Sequence, residues 1–307
     1  MASNKPAKQS KLLDKEVRQI ATERLAINKT YKMYVDGKFV RSESGRYFKL
    51  NDRNGNLIAN VCRASRKDFR DAVVVARKAH EIWNKKTAYN KGQILYRIAE
   101  MLESRIPQFI TSLMMEGYNS IDAEREIEQA VDALVYYAGW SDKYIQVFSS
   151  VNPVESSHFN FSIPEPSGVV SIIAPANSSL LGLVSVIAPA IVGGNAVIVL
   201  ANESFSLTAC EFSEVLNSSD VTNGVVNILT GHKKELLAHF SNHMDVNAMV
   251  YGGTDADDIK LIENNAALNV KRIVKPFYNN WHDADALSPY HIIKLQEIKT
   301  TWHPIGL

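Results

Sequence analysis

The chain predicts an α/β fold: a doubly wound parallel sheet with helices on both faces and a small accessory β unit. Three observations carry this. From Val169 onward, short β-rich runs (VVSIIA, AVIVL, VVNIL, AMVYG and KRIVK) alternate with helical segments at about 179–192, 206–217, 232–241 and 255–267. Strands that alternate with helices build βαβ units, which pair in parallel through right-handed crossovers. The runs are almost wholly apolar, as strands covered on both faces must be. Finally, no charged residue stands between Glu165 and Glu203, which marks this stretch as the centre of the core.

The elements follow in order. Residues up to about Ser10 read as a lysine-rich frayed end, and Lys11–Leu25 as a helix, within a tail spanning 1–30. Tyr31–Val40 reads as a hairpin, because apolar residues flank the turn pair Asp36–Gly37. Asn51–Asn56 is a turn, followed by the strand LIANVCRA. Helical periodicity then runs from Ser65 to about Gln146, punctuated by Pro107 and Gly117. Ser65 is placed to cap the first helix, with Asp68 three residues on. Ser120–Gln146 reads as one long helix, with Ile127, Ala130, Leu134 and Tyr137 on its apolar face. Residues 147–167 are extended, and the alternation in SSHFNFSIP predicts a strand. After Pro276 the βα rhythm is lost. A small β unit is expected to assemble from the Tyr31 hairpin, the 147–165 segment and the C-terminal tail. Its strand edges stay exposed unless another chain pairs with them.

Bulk properties exclude several classes. With 307 residues the chain can bury a large core. A net charge of +1 leaves no footprint for nucleic acid or an anionic membrane. The charge-free stretch is long enough to span a bilayer, but Pro166, Pro175, Asn177, Gly182, Pro189, Gly193, Gly194 and Asn195 interrupt it, so no membrane span is expected. Two cysteines, Cys62 and Cys210, are too few for a disulfide framework. The first twenty residues have no apolar core of a secretory signal, and a reducing, cytoplasmic setting is expected. His239 and His243 have i,i+4 spacing without the glutamate of a zinc-binding helix, so the histidines read as surface residues and no metal site is expected.

Several segments resemble the aldehyde dehydrogenase superfamily, in order and spacing, between about Tyr31 and Arg272. They are YVDGKFV, YYAGWSDK at 136–143, APANSS at 174–179, GNAVIVLANESFSLTA at 194–209, GVVNILTG at 224–231 and HMDVNAMVYGGT at 243–254. The resemblance implies a Rossmann-like parallel sheet with helices on both faces plus a small β oligomerisation unit. It also implies a cleft for NAD or NADP, to which Ala174, Glu203, Gly253 and Thr254 would contribute. By resemblance Asn177 matches the asparagine that stabilises an oxyanion; read from the residues alone, it caps the helix that follows. Glu203 matches the glutamate that binds an adenosine ribose, and is otherwise a solvated loop acid. Gly253 and Thr254 match the start of the helix that faces the pyrophosphate. There Asp255, Asp257 and Asp258 either serve the helix dipole or repel phosphate.

The departures bear on activity. Leu200 replaces the lysine that also grips the ribose, and leucine cannot donate a hydrogen bond. Asp258 stands in place of a second glycine, and no G-x-G-x-x-G or phosphate-binding loop occurs. Pro276 falls where the family has its general-base glutamate, and no cysteine follows Cys210 to act as nucleophile. HDADAL at 282–287 resembles the family's Asp-Ala-Asp segment, and HIIKLQEIKTTWHPIG at 291–306 resembles its C-terminal strand. Only about Ser288–Tyr290 joins them, where the family carries its catalytic domain. The expected organisation is a cofactor-domain body at 31–287, which includes the 147–165 oligomerisation hairpin, and an oligomerisation tail at 288–307. The expected role is a non-catalytic subunit: a homo-oligomer, or a hetero-oligomer with a full-length aldehyde dehydrogenase. The alternatives are a subunit of an NAD(P)-dependent aldehyde oxidoreductase that contributes to cofactor binding, and a nucleotide sensor.

Overall fold

The computed structural model describes residues 28–276, 278 and 280–306. The helix expected at Lys11–Leu25 lies outside them. Strand β1 is Thr30–Tyr31; β2 (Met33–Val35) and β3 (Lys38–Val40) form the hairpin; β4 (Tyr47–Asn51) and β5 (Leu57–Cys62) follow. Helices α1 (Arg66–Asn84), α2 (Ala88–Glu103), α3 (Ile106–Met115), α4 (Ser120–Trp140) and α5 (Tyr144–Phe148) come next. Then β6 (Ser150–Asn152) and β7 (His158–Pro166) lead into β8 (Val169–Ile173), with only Ser167 and Gly168 between β7 and β8. The βα run continues with α6 (Leu180–Val192), β9 (Ala196–Leu200), α7 (Ser206–Asn217), β10 (Val226–Leu229), α8 (Lys233–Asn242), β11 (Ala248–Tyr251), α9 (Ala256–Ala267) and β12 (Arg272–Val274). Helix α10 (Tyr290–Ile293) and strand β13 (Gln296–Pro304) close the chain.

The main sheet has seven strands in the order β12-β11-β8-β9-β10-β2-β3. Its first five strands are parallel, with Val169 opposite Ala196 and Ala248 opposite Val170. The sequence runs outward from β8 in both directions, so β8 is the point where strand order reverses. Side chains alternate across the sheet as period-two geometry requires. Val169 and Ile173 pack with Phe69, Leu236 and Phe240 from α1 and α8. Val170 and Ile172 face α6 and α7. Helix α6 is buried at every position because it lies between the sheet and α4.

Local chemistry explains the boundaries. Ser65 Oγ accepts from Asp68 N, and the Asp68 carboxylate accepts from Ser65 N at 2.7 Å, which makes a capping box for α1. Asp36 and Gly37 both have positive φ, 56° and 68°, the backbone of a tight primed hairpin turn. A Cβ on Gly37 would lie 2.2 Å from Asn223 Oδ1, so glycine is also needed for close approach.

Two expectations are corrected. The hairpin does not join the small β unit: β2 pairs antiparallel with β10, Tyr34 opposite Ile228, and extends the main sheet. Met33 and Tyr34 are buried there, which gives the strand a core to cover. The long helix ends at Trp140, and a turn separates it from α5. Ser141 and Asp142, at the break, are weak interior helix formers. A further sheet, β1-β5-β4, packs beside α7.

The small unit is the three-stranded sheet β13-β7-β6. Strand β13 pairs with β7 along its whole length, from Gln296 opposite Pro166 to Pro304 opposite His158. All of β13 beyond Gln296 is exposed, and Ile298 and Trp302 are more than half accessible. Its outer edge has no partner strand among the described residues. The base is anchored, since Asn195 Nδ2 donates to Leu295 O and Gln296 Nε2 to Gly193 O. No helix among the described residues is long and apolar enough to cross a membrane.

Candidate functional site

A cleft of about 290 Å³ opens at the C-terminal ends of β8, β9 and β11. Such sheets bind ligands outside the strand ends where the strand order reverses. Ala174, Leu200, Glu203, Lys233, Tyr251 and Gly253 line it. Ala174 is buried, and its N–H bonds to Leu200 O, which sets the floor. Leu200 is also buried and offers no donor to the cleft. Gly253 permits a close approach, because a Cβ there would stand 2.6 Å from the Tyr251 hydroxyl. Thr254 is exposed just ahead of α9.

Glu203 is neither free nor merely solvated. Its Oε2 meets His232 Nδ1 at 2.7 Å, and its Oε1 accepts from Lys233 N at 3.1 Å. It therefore serves as the N-terminal acceptor of α8, a place that suits a carboxylate. At the next helix, Asp255 Oδ1 accepts from Asp257 N and Asp258 N at 3.0 and 2.9 Å, capping α9. Asp258 Oδ2 accepts from the Tyr251 hydroxyl at 2.7 Å and from Lys233 Nζ. Burial opposes ionisation of Asp258, but the bonds from Lys233 and Tyr251 hold its carboxyl below the ordinary range. Burial, reinforced by the bond to Asp258, raises the Tyr251 hydroxyl.

Asn177 lies apart from these groups and does not cap α6, whose N-cap is Ser179 without a side-chain capping bond. Instead Asn177 Nδ2 donates to Tyr278 O and its Oδ1 accepts from Trp281 Nε1, both at 2.8 Å. The loop before α6 is satisfied by a buried acid that sequence reading missed. Glu126, 1% exposed, accepts from Ser178 Oγ at 2.7 Å and Leu181 N at 3.1 Å. His282 Nε2 stands 3.3 Å from the other Glu126 oxygen. Signals for Glu126 were weak, since it sits in a run of helix charges that reads as solvated.

Tyr278, Trp281 and His282 thus lie over the start of α6 and its preceding loop. Trp281 is buried against the edge of Tyr278, and the Tyr278 hydroxyl meets His291 Nε2 at 2.8 Å. His291 is buried, contrary to the expected surface placement, and burial pushes its imidazole down to about 4. Pro276 lines the small void of about 20 Å³ beneath this cover. Cys62 and Cys210 are both free and buried in packing clusters. Burial raises the Cys210 thiol, the opposite of what an attacking thiolate needs. Among the described residues no group of three His, Cys, Asp or Glu side chains is placed to hold a metal.

The family model for "Aldehyde dehydrogenase family" matches residues 39–275. The chain belongs to the aldehyde dehydrogenase family. Cytosolic 10-formyltetrahydrofolate dehydrogenase of Mus musculus is 27% identical over 259 residues, which cover 82% of this chain and 29% of that protein. An aldehyde dehydrogenase of Aspergillus niger is 30% identical over 245 residues, 78% of this chain and 48% of that one. The NAD+ complex of aldehyde dehydrogenase from Bacillus cereus is similar in fold, with a TM-score of 0.77 at 25% identity, over 81% of this chain and 51% of that one. The chain spans about half the length of the aldehyde dehydrogenases it matches. The cleft lies in this shared part, and it is the aldehyde dehydrogenase fold that brings Glu203, Lys233, Tyr251 and Gly253 together at the strand ends.

Proposed function

We propose that this chain is a non-catalytic aldehyde dehydrogenase-like subunit that acts through assembly, as a homo-oligomer or beside a full-length aldehyde dehydrogenase in the cytoplasm. One observation carries the reading. The β13-β7-β6 arm presents an outer edge that has no partner strand among the described residues, with Ile298 and Trp302 exposed. Such an edge is a template for a strand of another chain. The chemical positions support it: the Asn177 amide is bonded to Tyr278 and Trp281, both thiols are buried, and by the family resemblance Pro276 would fall where the general base stands. In this reading 31–287 is the body and 288–307 the assembly tail.

Light scattering coupled to size exclusion, together with native mass spectrometry of the tagged protein from its own cells, tests this. A dimer or larger assembly, or a co-purifying aldehyde dehydrogenase, is expected. A strictly monomeric protein with no such partner ends the proposal.

A second reading keeps an NAD(P) role, favoured by the cleft's position at the strand-order reversal and by the retained Glu203. The residues fit a dinucleotide poorly. Leu200 gives no donor, both Glu203 oxygens are engaged, and the N–H groups of Asp257 and Asp258 in the first turn of α9 are already bonded to Asp255. Calorimetric titration with NAD and NADP decides it: saturable micromolar binding establishes the second reading, and its absence removes it.

A further inference from the structure

The bonds at the cleft join three successive βα connections. Glu203, after β9, holds His232 and Lys233, after β10; Lys233 in turn holds Asp258, after β11, which also takes the Tyr251 hydroxyl. A helix N-terminus at the end of a parallel strand is where such sheets receive phosphate, through free backbone N–H groups and the helix dipole. At α9 that place is filled from within. Asp255 takes the N–H groups of Asp257 and Asp258, and the Asp258 carboxylate lies in the first turn with a lysine ammonium and a phenol as its donors. A lysine and a hydroxyl are also the donors a phosphate would use.

We propose that Asp258 determines what this cleft accepts: its carboxylate, clamped by Lys233 and Tyr251, stands where a pyrophosphate would bind and excludes dinucleotides. The cleft is thereby reserved for ligands without phosphate. Three features agree with an internal anion rather than a chance surface pair. Both Asp258 and Lys233 are partly withdrawn from solvent, with side chains 21% and 38% exposed. Tyr251 is almost wholly buried, so its hydroxyl is fixed in direction. The Lys233 backbone is itself fixed by Glu203. An incoming phosphate would have to displace a carboxylate that the fold holds on the same donors, and two anions cannot share them.

This rests on the reading of the cleft as an altered aldehyde dehydrogenase cofactor cleft, not on the assembly proposal. NAD is the probe, titrated calorimetrically into the unaltered 307-residue chain and into Asp258→Gly, Asp258→Asn and Lys233→Ala. The unaltered protein is expected to give no saturable heat up to about 1 mM NAD. Asp258→Gly and Asp258→Asn are expected to bind at least about tenfold more tightly than the unaltered protein. Asn keeps an acceptor for Tyr251 and removes only the charge, so it covers the case in which the glycine variant does not fold. Lys233→Ala is expected to stay silent, because the carboxylate remains in place and loses its counter-charge. Micromolar binding by the unaltered protein overturns the proposal. So does a folded Asp258→Asn with no gain, or recovery by Lys233→Ala alone. The native mass of each variant is read in parallel, so a failed exclusion is distinguishable from a failed assembly.

Discussion

Glu116 and His291 give this protein two opposed responses to pH. The Glu116 carboxyl caps α7, accepting from Leu207 N, Thr208 N, Thr208 Oγ1 and Ser179 Oγ. Burial nevertheless outweighs those bonds and pushes it up to about 7. A carboxyl raised on folding stabilises the fold when protonated, so its contribution falls as pH rises from about 4.5 to about 7, by at most ~3 kcal/mol. His291 is depressed to about 4 by burial, so its contribution is present above about 6.5 and is lost as pH falls towards 4. The two slopes oppose each other between about pH 4.5 and 6.5. Glu116→Gln should therefore unmask acid lability: its melting temperature should drop more steeply than that of the unaltered protein from pH 6.5 to 4.5. Equal slopes would refute the opposition. Trp281→Ala removes a buried indole and its bond to Asn177, and should cost about 3–5 kcal/mol in urea unfolding. Sequence reading found Asn177 and Glu203 as positions but not their partners. Trp281, His232 and Lys233 are distant in sequence from the groups they bind, and no local spacing encodes such contacts.

At the scale of elements, the strands β8 to β12 and helices α6 to α9 were legible because local signals agreed. The strands are apolar on both faces, and the helices between them lie within a residue of the expected bounds. Ser65 and Asp68 likewise form the capping box their spacing implied. Ser65→Ala should lower stability by about 1 kcal/mol, measured as a shift in urea midpoint with unchanged slope. The hairpin's destination was not legible. Its turn chemistry specifies a hairpin, whereas membership of a sheet depends on which edge is free, and the edge of β10 is formed about 190 residues later in the chain (Asp36 N donates to Asn227 Oδ1 across this seam, a separation of 191). The break at Ser141 was missed because Tyr137 and Tyr144 keep one helical face across it, and both are buried.

At the scale of the molecule, composition and rhythm set the architecture, and the aldehyde dehydrogenase resemblance set its family. Whether the cleft is open to a dinucleotide was beyond the sequence, because three acids at a helix start read alike whether they cap, pair or repel. The structure separates them: Asp255 caps, and Asp258 pairs with Lys233. The assembly proposal makes a whole-molecule prediction. A chain ending at Leu295 keeps the anchor to Asn195 but lacks β13. It should sediment as a monomer, with the cooperative melt of the body retained. An unchanged mass would move the interface away from the arm.

The arm is also mechanically close to the core. Strand β7 passes into β8 through Ser167 and Gly168 alone, so residues 158–173 form one two-strand segment bent once at Gly168, whose φ is 125°. Its outer end is clasped by β13, and its inner end is the middle one of the five parallel strands, leading directly into Ala174 and the loop that holds Asn177. Force on the arm would reach the floor of the cleft through that single bend. Amides of Val169–Ile173 should be among the slowest in the molecule to exchange hydrogen, and slower still once the arm is occupied.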